Sequence, residues 1–263
     1  MLKLTRRPVA DFLAPEHRQA LEKRGASARK LADDPVLTSE ERSKRIRQQW
    51  DAFRAGRTSA GTFEALWVEL RAMAFEKCAL CEVPSPDTTE HLEGKAGNPS
   101  RAFDWNNLLP ACSQCNLARQ NSLVTTTPFD PSAADVEPLD YFGWDEYGDF
   151  APHPRHQETV RDLVKMYGLH RLREARRERI TTFRALLIAL INEEASADAT
   201  KDALRVILSG TSAWLGPIRE YLLRPPFDTD ALLVEGALML MPEIRSLVEP
   251  WLRPPPWSPA WWH

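Results

Sequence analysis

The chain contains four cysteines, and they fall in two Cys-x-x-Cys pairs, Cys78-Ala79-Leu80-Cys81 and Cys112-Ser113-Gln114-Cys115, with thirty residues between them. A two-residue spacer lets both thiolates of a pair turn toward one ion, and two such pairs make a closed tetrahedral Zn2+ site of the structural kind. The interval is longer than a common zinc ribbon needs, so it holds something more. In it stand Glu90-His91 and then Asn107, and Asn116 follows the last cysteine directly. A carboxylate and an amide oxygen suit a hard divalent cation, and an imidazole suits a water molecule. The alternative is that Glu90 and His91 are solvated turn residues and the asparagines are caps; the fixed register of the asparagines to the cysteines favours a hydrolytic centre.

These residues, Cys-x2-Cys, Glu-His, Asn107-Leu108 with Cys112, and Cys115-Asn116 followed by Arg119, resemble the HNH endonucleases of the ββα-metal (His-Me finger) class. The resemblance implies that Glu90 and Asn116 hold a catalytic Mg2+ or Mn2+, that His91 is the general base, and that Asn107 orients it. The opening Met-Leu-Lys-Leu-Thr-Arg-Arg-Pro, the Lys77-Cys-Ala-Leu-Cys-Glu82 stretch, Phe129-Asp-Pro and Gly168-Leu169 with Leu172 and Arg176 are similar to the HNH subunit of Septu and retron-associated anti-phage systems (the PtuB-like group). That likeness spans roughly residues 1–8 and 60–191. It implies a nuclease effector acting on DNA beside an ABC-type ATPase subunit (PtuA-like), with or without a retron reverse transcriptase and its RNA/DNA. Leu80, Leu92 and Gly94 stand where members often carry aromatics and a proline, and Arg119 stands in place of the more usual lysine; none of the residues implied as ligands is lost.

The expected fold is mainly α with a small α+β core, divided as an amino-terminal helical region (1–76), the ββα module with its four-cysteine zinc site (77–125), and a mostly helical remainder with a Trp/Pro-rich tail (126–263). Thr38-Ser39-Glu40-Glu41 reads as a helix start, since a hydroxyl caps free amides and early carboxylates suit the helix dipole. Thr62-Phe63-Glu64 begins another helix, with Leu66, Leu70 and Met73 on one side. In the module, Thr88 to Leu92 is a strand, Asn107 to Leu109 a second, and a helix begins at Ser113. Adjacent strand residues face opposite ways, so Glu90 and His91 can serve one site only where the strand ends or twists. Residues 125–153, with Phe-Asp-Pro and then alternating aromatic and polar residues around Glu146-Tyr147-Gly148-Asp149, read as a hairpin or a pair of extended segments. Val160, Leu163, Val164, Tyr167 and Leu169 fit a helix broken near Gly168; Arg171 to Ile191 fits a second, with Leu172, Ala175, Ile180, Phe183, Leu187 and Leu190 inward. Lys95, Arg101 and Arg119 are candidate nucleic-acid contacts, against the alternative of solvated surface charge. Trp105 is expected to pack under the site rather than stack on a base.

Net charge is about −3, so any grip on a phosphate backbone has to come from a local patch or a partner. One such patch is Arg161 to Arg184, with eight Lys/Arg against three Asp/Glu, either solvated surface or a duplex contact. Glycine is scarce (11) and proline common (21), which points to helices joined by stiff connections. The start lacks an apolar signal-peptide core, no run is long enough to span a bilayer, and cysteines held by metal suit a reducing compartment; a cytoplasmic protein is expected. The sequence has no Gly-x4-Gly-Lys-Ser/Thr loop, so nucleotide sensing would come from the ATPase partner. Four of nine tryptophans lie in the last thirteen residues, to dock on this protein's own body or on another chain. Two rival functions remain: a zinc-stabilised non-catalytic adaptor or nucleic-acid-binding subunit, and an HNH nuclease directed at RNA such as tRNA.

Overall fold

The structure is a computed structural model that describes residues 3–56, 61–120, 129–145, 147–192, 197–210, 212–225 and 227–248. The tryptophan-rich tail lies outside these residues. The described chain is mainly helical. In order it forms α1 (Pro15–Ala32), α2 (Ser39–Arg54), α3 (Thr62–Met73), β1 (Thr88–His91), β2 (Leu108–Ala111), α4 (Ser113–Gln120), α5 (Pro138–Tyr141), α6 (Gln157–Tyr167), α7 (Arg173–Asn192), α8 (Ala197–Ile207), α9 (Leu215–Leu223), α10 (Asp228–Leu240) and α11 (Ile244–Val248). Among the described residues, no helix is long and apolar enough to cross a membrane.

Local chemistry sets the boundaries. Thr38 opens α2 with a capping box: its hydroxyl accepts the Glu41 N–H at 3.2 Å, and the Glu41 carboxylate accepts the Thr38 N–H at 2.9 Å. Gly168, at φ +59°, ends α6 in the left-handed conformation that costs glycine least. A 3-10 turn, Leu169–Leu172, then leads into α7. The stretch expected as a hairpin is shorter than that: Trp144 and Phe150 form one antiparallel bridge across a turn, preceded by α5.

The two strands pair antiparallel, Thr88 opposite Ala111 through His91 opposite Leu108. They do not stand alone, as two strands rarely could. Ile46, Trp50 and Phe53 of α2, Leu66 and Leu70 of α3, Leu108 and Leu109 of β2, and Leu163 and Val164 of α6 belong to one buried cluster. The expected amino-terminal region and the module therefore share a core. A second cluster gathers Ile180, Phe183, Leu187 and Leu190 of α7 with Leu204, Ile218, Leu222 and Val234. The inward positions foreseen on α7 hold from Ile180 onward. One turn earlier the buried residue is Arg176, while Ala175 is half-buried.

Candidate metal centre and hydrolytic cleft

The knuckle is built from tight turns. Cys78 donates its N–H to Val83 O, Glu82 N–H returns to Cys78 O, and Ala79 N–H reaches Pro110 O of β2 at 2.9 Å. Phe75, Glu76, Glu82 and Ser85 all adopt positive φ, four of the five such non-glycine residues among those described. Left-handed backbone is unfavourable for these side chains and persists where the surroundings over-determine it. Here it wraps Cys78 and Cys81 toward Cys112 and Cys115. The four sulfurs lie within 4.8 Å of one another, and Cys81 Sγ is 3.6 Å from Cys112 Sγ. A tetrahedral zinc with Zn–S of about 2.3 Å has sulfur–sulfur edges of about 3.8 Å, so the cluster could hold a structural zinc. Arg171 donates to Cys115 Sγ at 3.2 Å, a partner that stabilises thiolate charge. It belongs to the basic run from Arg161 to Arg184, and nothing in its spacing from the cysteines announced this.

By tying the segment before β1 to the start of α4, the cysteines place Asn116 and Arg119 beside β1. A cleft of about 680 Å³ opens there, lined by Glu90, His91, Lys95, Asn116 and Arg119, and by one face of α2: Arg47, Trp50, Asp51 and Arg54. The spacing i, i+3, i+4, i+7 puts those four α2 residues on one stripe. Glu90 and His91 both line the cleft although they are neighbours on a strand. The strand ends at His91, which frees the imidazole to turn.

The imidazole is held on three sides. Its Nε2 is 3.0 Å from the Ala102 carbonyl, which fixes the N–H there and leaves Nδ1 as the basic nitrogen. Trp50 meets the ring edge-on with centroids 4.5 Å apart, and the Lys95 ammonium lies 3.3 Å from Nδ1. Burial, and then the Lys95 charge, push the His91 pKa down to about 3, so the ring is neutral.

Asn107 is fully buried, and its hydrogen bonds go to the loop rather than to the imidazole. Its Oδ1 accepts the Glu93 N–H at 2.7 Å, and its Nδ2 donates to Glu93 O and Arg101 O at 3.0 Å each. It thereby sets the loop that carries the Ala102 carbonyl, and so acts on His91 at one remove.

Glu90 is 3% exposed, its carboxylate accepts no hydrogen bond among the described residues, and it has Arg119 Nε at 3.9 Å as its ion-pair partner. Burial pushes its pKa up to about 8 against the pull of Arg119 and Lys95. A buried carboxylate with one distant cation beside an amide oxygen is a donor set that fits a hard divalent ion. The other expected contacts divide. Lys95 and Arg119 line the cleft, whereas Arg101 is ion-paired with Glu93 and Asp104 and lies outside its lining. Trp105 is buried, but against the amino-terminal segment: its Nε1 donates to Arg7 O at 3.1 Å and its ring meets Phe12.

Sequence reasoning missed the α2 contribution. Arg47, Asp51 and Arg54 sit in a charged helix far from the motif, and their one available signal was the shared stripe with Trp50. Compared with known proteins, the sequence matches no family model and no curated protein.

Proposed function

We propose that this chain is a metal-dependent endonuclease that hydrolyses DNA phosphodiester bonds, the nuclease effector of an ATPase-controlled anti-phage complex. The observation that carries the chemistry is the tethered imidazole. With its Nε2 N–H given to Ala102, His91 offers Nδ1 to the same cleft that Glu90 and Asn116 line. A neutral imidazole so oriented can take the proton from an attacking water. Glu90 and Asn116 would hold the divalent cation, which supplies Lewis-acid stabilisation of charge developing on the phosphate. Arg119 and Lys95 add fixed positive charge to the cleft. Lys95 occupies Nδ1 until an incoming phosphate offers its flexible ammonium a better acceptor, so substrate binding itself uncovers the base. The resemblance to the Septu and retron HNH subunits supports the setting, with DNA as substrate and an ATPase as controlling subunit.

The Lys95 contact also favours a second reading, in which the base stays capped and the chain binds nucleic acid without cutting it. Cleavage assays separate the two. The purified protein, alone and copurified with its native partners, should nick plasmid DNA with Mg2+ or Mn2+ and not with EDTA. His91→Ala should lower the rate by roughly 10²–10⁴-fold with the fold kept, as read from circular dichroism and zinc content, although removing a buried ring lowers the melting temperature. Equal cleavage by the variant would overturn the mechanism; tRNA cut in preference to DNA would move the substrate to RNA.

A further inference from the structure

A second cleft, of about 670 Å³, borders the loop that anchors His91 at residues the first cleft does not use. Its walls are residues 6–10, α1, and Ser100 with Phe103 to Asn106. Four arginines line it, Arg6, Arg7, Arg18 and Arg29, against two carboxylates, Glu22 and Asp104. Half of these charges are already partnered. Arg6 donates to Ser132 Oγ at 2.6 Å and to Trp105 O at 2.8 Å, Arg7 is 3.2 Å from Glu69, and Asp104 is paired with Arg101.

The other three lie along one face of α1. Arg18 Nε is shielded from solvent and has no hydrogen-bond partner among the described residues. Arg29 makes no side-chain hydrogen bond or ion pair among the described residues. Its guanidinium lies across Gly25, with Nη1 3.3 Å from where a Cβ would sit and nothing but the Arg29 side chain within 4 Å of that point. The glycine is therefore not explained by close backbone packing; it leaves a notch in the wall beneath a guanidinium. A shielded guanidinium nitrogen without an acceptor is unfavourable, and a bidentate anion is the partner its geometry matches.

We propose that this cleft is an anion site for a phosphate-bearing ligand of nucleotide size, gripped by Arg18 and Arg29. Its volume falls in the usual range for small-ligand pockets. Ser100 and Phe103 bracket the Ala102 carbonyl in sequence, so an occupant bears on the anchor of the imidazole. The phosphate has two sources, a free nucleotide or the backbone of a nucleic-acid strand, and both are tested by binding. The site does not depend on the nuclease reading, and the His91→Ala background separates the two.

In that background, fluorescence anisotropy is measured with a fluorescent ATP and with a labelled five-nucleotide DNA. Arg18→Gln and Arg29→Gln are expected to weaken binding at least tenfold, and Glu22→Gln to tighten it a few-fold by removing the opposing charge. Arg45→Gln, which lies in neither cleft, should leave it unchanged. Binding of ATP alone assigns a free nucleotide, and binding of the oligonucleotide alone assigns a strand subsite. Failure of both probes to bind at millimolar concentration, or binding indifferent to Arg29→Gln, overturns the proposal. Arg29 is exposed, so that variant folds whatever Arg18→Gln does.

Discussion

The molecule has two concentrations of positive charge, and they are used in opposite ways. Around the cleft beside β1, Arg47 and Arg54 have no ion pair among the described residues, Arg119 stands 3.9 Å from Glu90, and Lys95 touches an imidazole. The denser run from Arg161 to Arg184 is largely tied to the protein itself. Arg173 pairs with Asp149 at 3.0 Å, Arg184 with Asp230 at 2.7 Å, and Arg177 with Glu174. Arg179 donates to Ile207 O, Arg171 to Cys115 Sγ, and Arg176, 3% exposed, to Gly148 O and Leu169 O. The run expected as a duplex contact is thus mostly internal bracing, with Arg161 and Lys165 exposed on α6. Charge density along a sequence does not distinguish the two uses. What does is whether the helix bearing the charge packs between other elements, as α7 does, or along the rim of a cleft.

The largest break in this contrast should come from the cysteines, because the cleft exists only while α4 is held beside β1. Cys115→Ser, at a fully buried sulfur, should abolish stoichiometric zinc and unfold the module, since structural zinc contributes on the order of 10 kcal/mol to small domains. The second core packs apart from the cysteines, so much of the helical circular dichroism should survive while proteolysis opens residues 77–120. Metal analysis with limited proteolysis reads both. A variant that keeps one zinc and a protected module would show that the four thiolates do not form the site.

Next in size is the exchange of one arginine from each region. Arg176→Met removes the buried donor to Gly148 O and Leu169 O and a cation lying 4.4 Å over the Phe150 ring. A loss of about 2–4 kcal/mol is expected, with DNA affinity unchanged. Arg54→Met should do the reverse: stability within about 0.5 kcal/mol, weaker DNA binding, and a salt-dependence slope smaller by about 1. Thermal melts and anisotropy titrations at several salt concentrations test the pair. If the two variants behave alike, the division between bracing and contact fails.

These assignments also mark how far the sequence could be read. The cysteine pairs, the capping box at Thr38, the break at Gly168 and the ββα order were legible because each depends on residues close in sequence or on a fixed spacing. The partners of Arg176 were not, because Gly148 lies on a turn brought back by long-range packing. The roles of Asn107 and Lys95 were partly hidden for the same reason. Asn107 acts through the 93–101 loop, and Lys95 folds back onto His91, four residues away, because Trp50 of a distant helix closes the other side. Short-range rules place a strand and a helix; they do not say which loop an amide will staple.

Two buried carboxylates sharpen the comparison at a finer scale. Glu90 faces the cleft; Glu220, 7% exposed, sits in the second core with Arg224 Nε at 3.4 Å and with Oε2 lacking a hydrogen-bond partner among the described residues. Burial pushes the Glu220 pKa up to about 7, against the pull of Arg224 and Arg219. An acid raised in the folded state is penalised when ionised. Stability from this group is therefore intact below about pH 4.5, falls as pH rises to about 7, and is flat above. Glu220→Gln removes that titration, so the variant should gain about 1–3 kcal/mol relative to the parent between pH 4.5 and pH 8. Melting temperatures of both proteins at pH 5 and pH 8 measure the change. A gap that stays constant across that interval would mean that Glu220 is already ionised at pH 5, and that the second core tolerates a carboxylate better than the cleft tolerates Glu90.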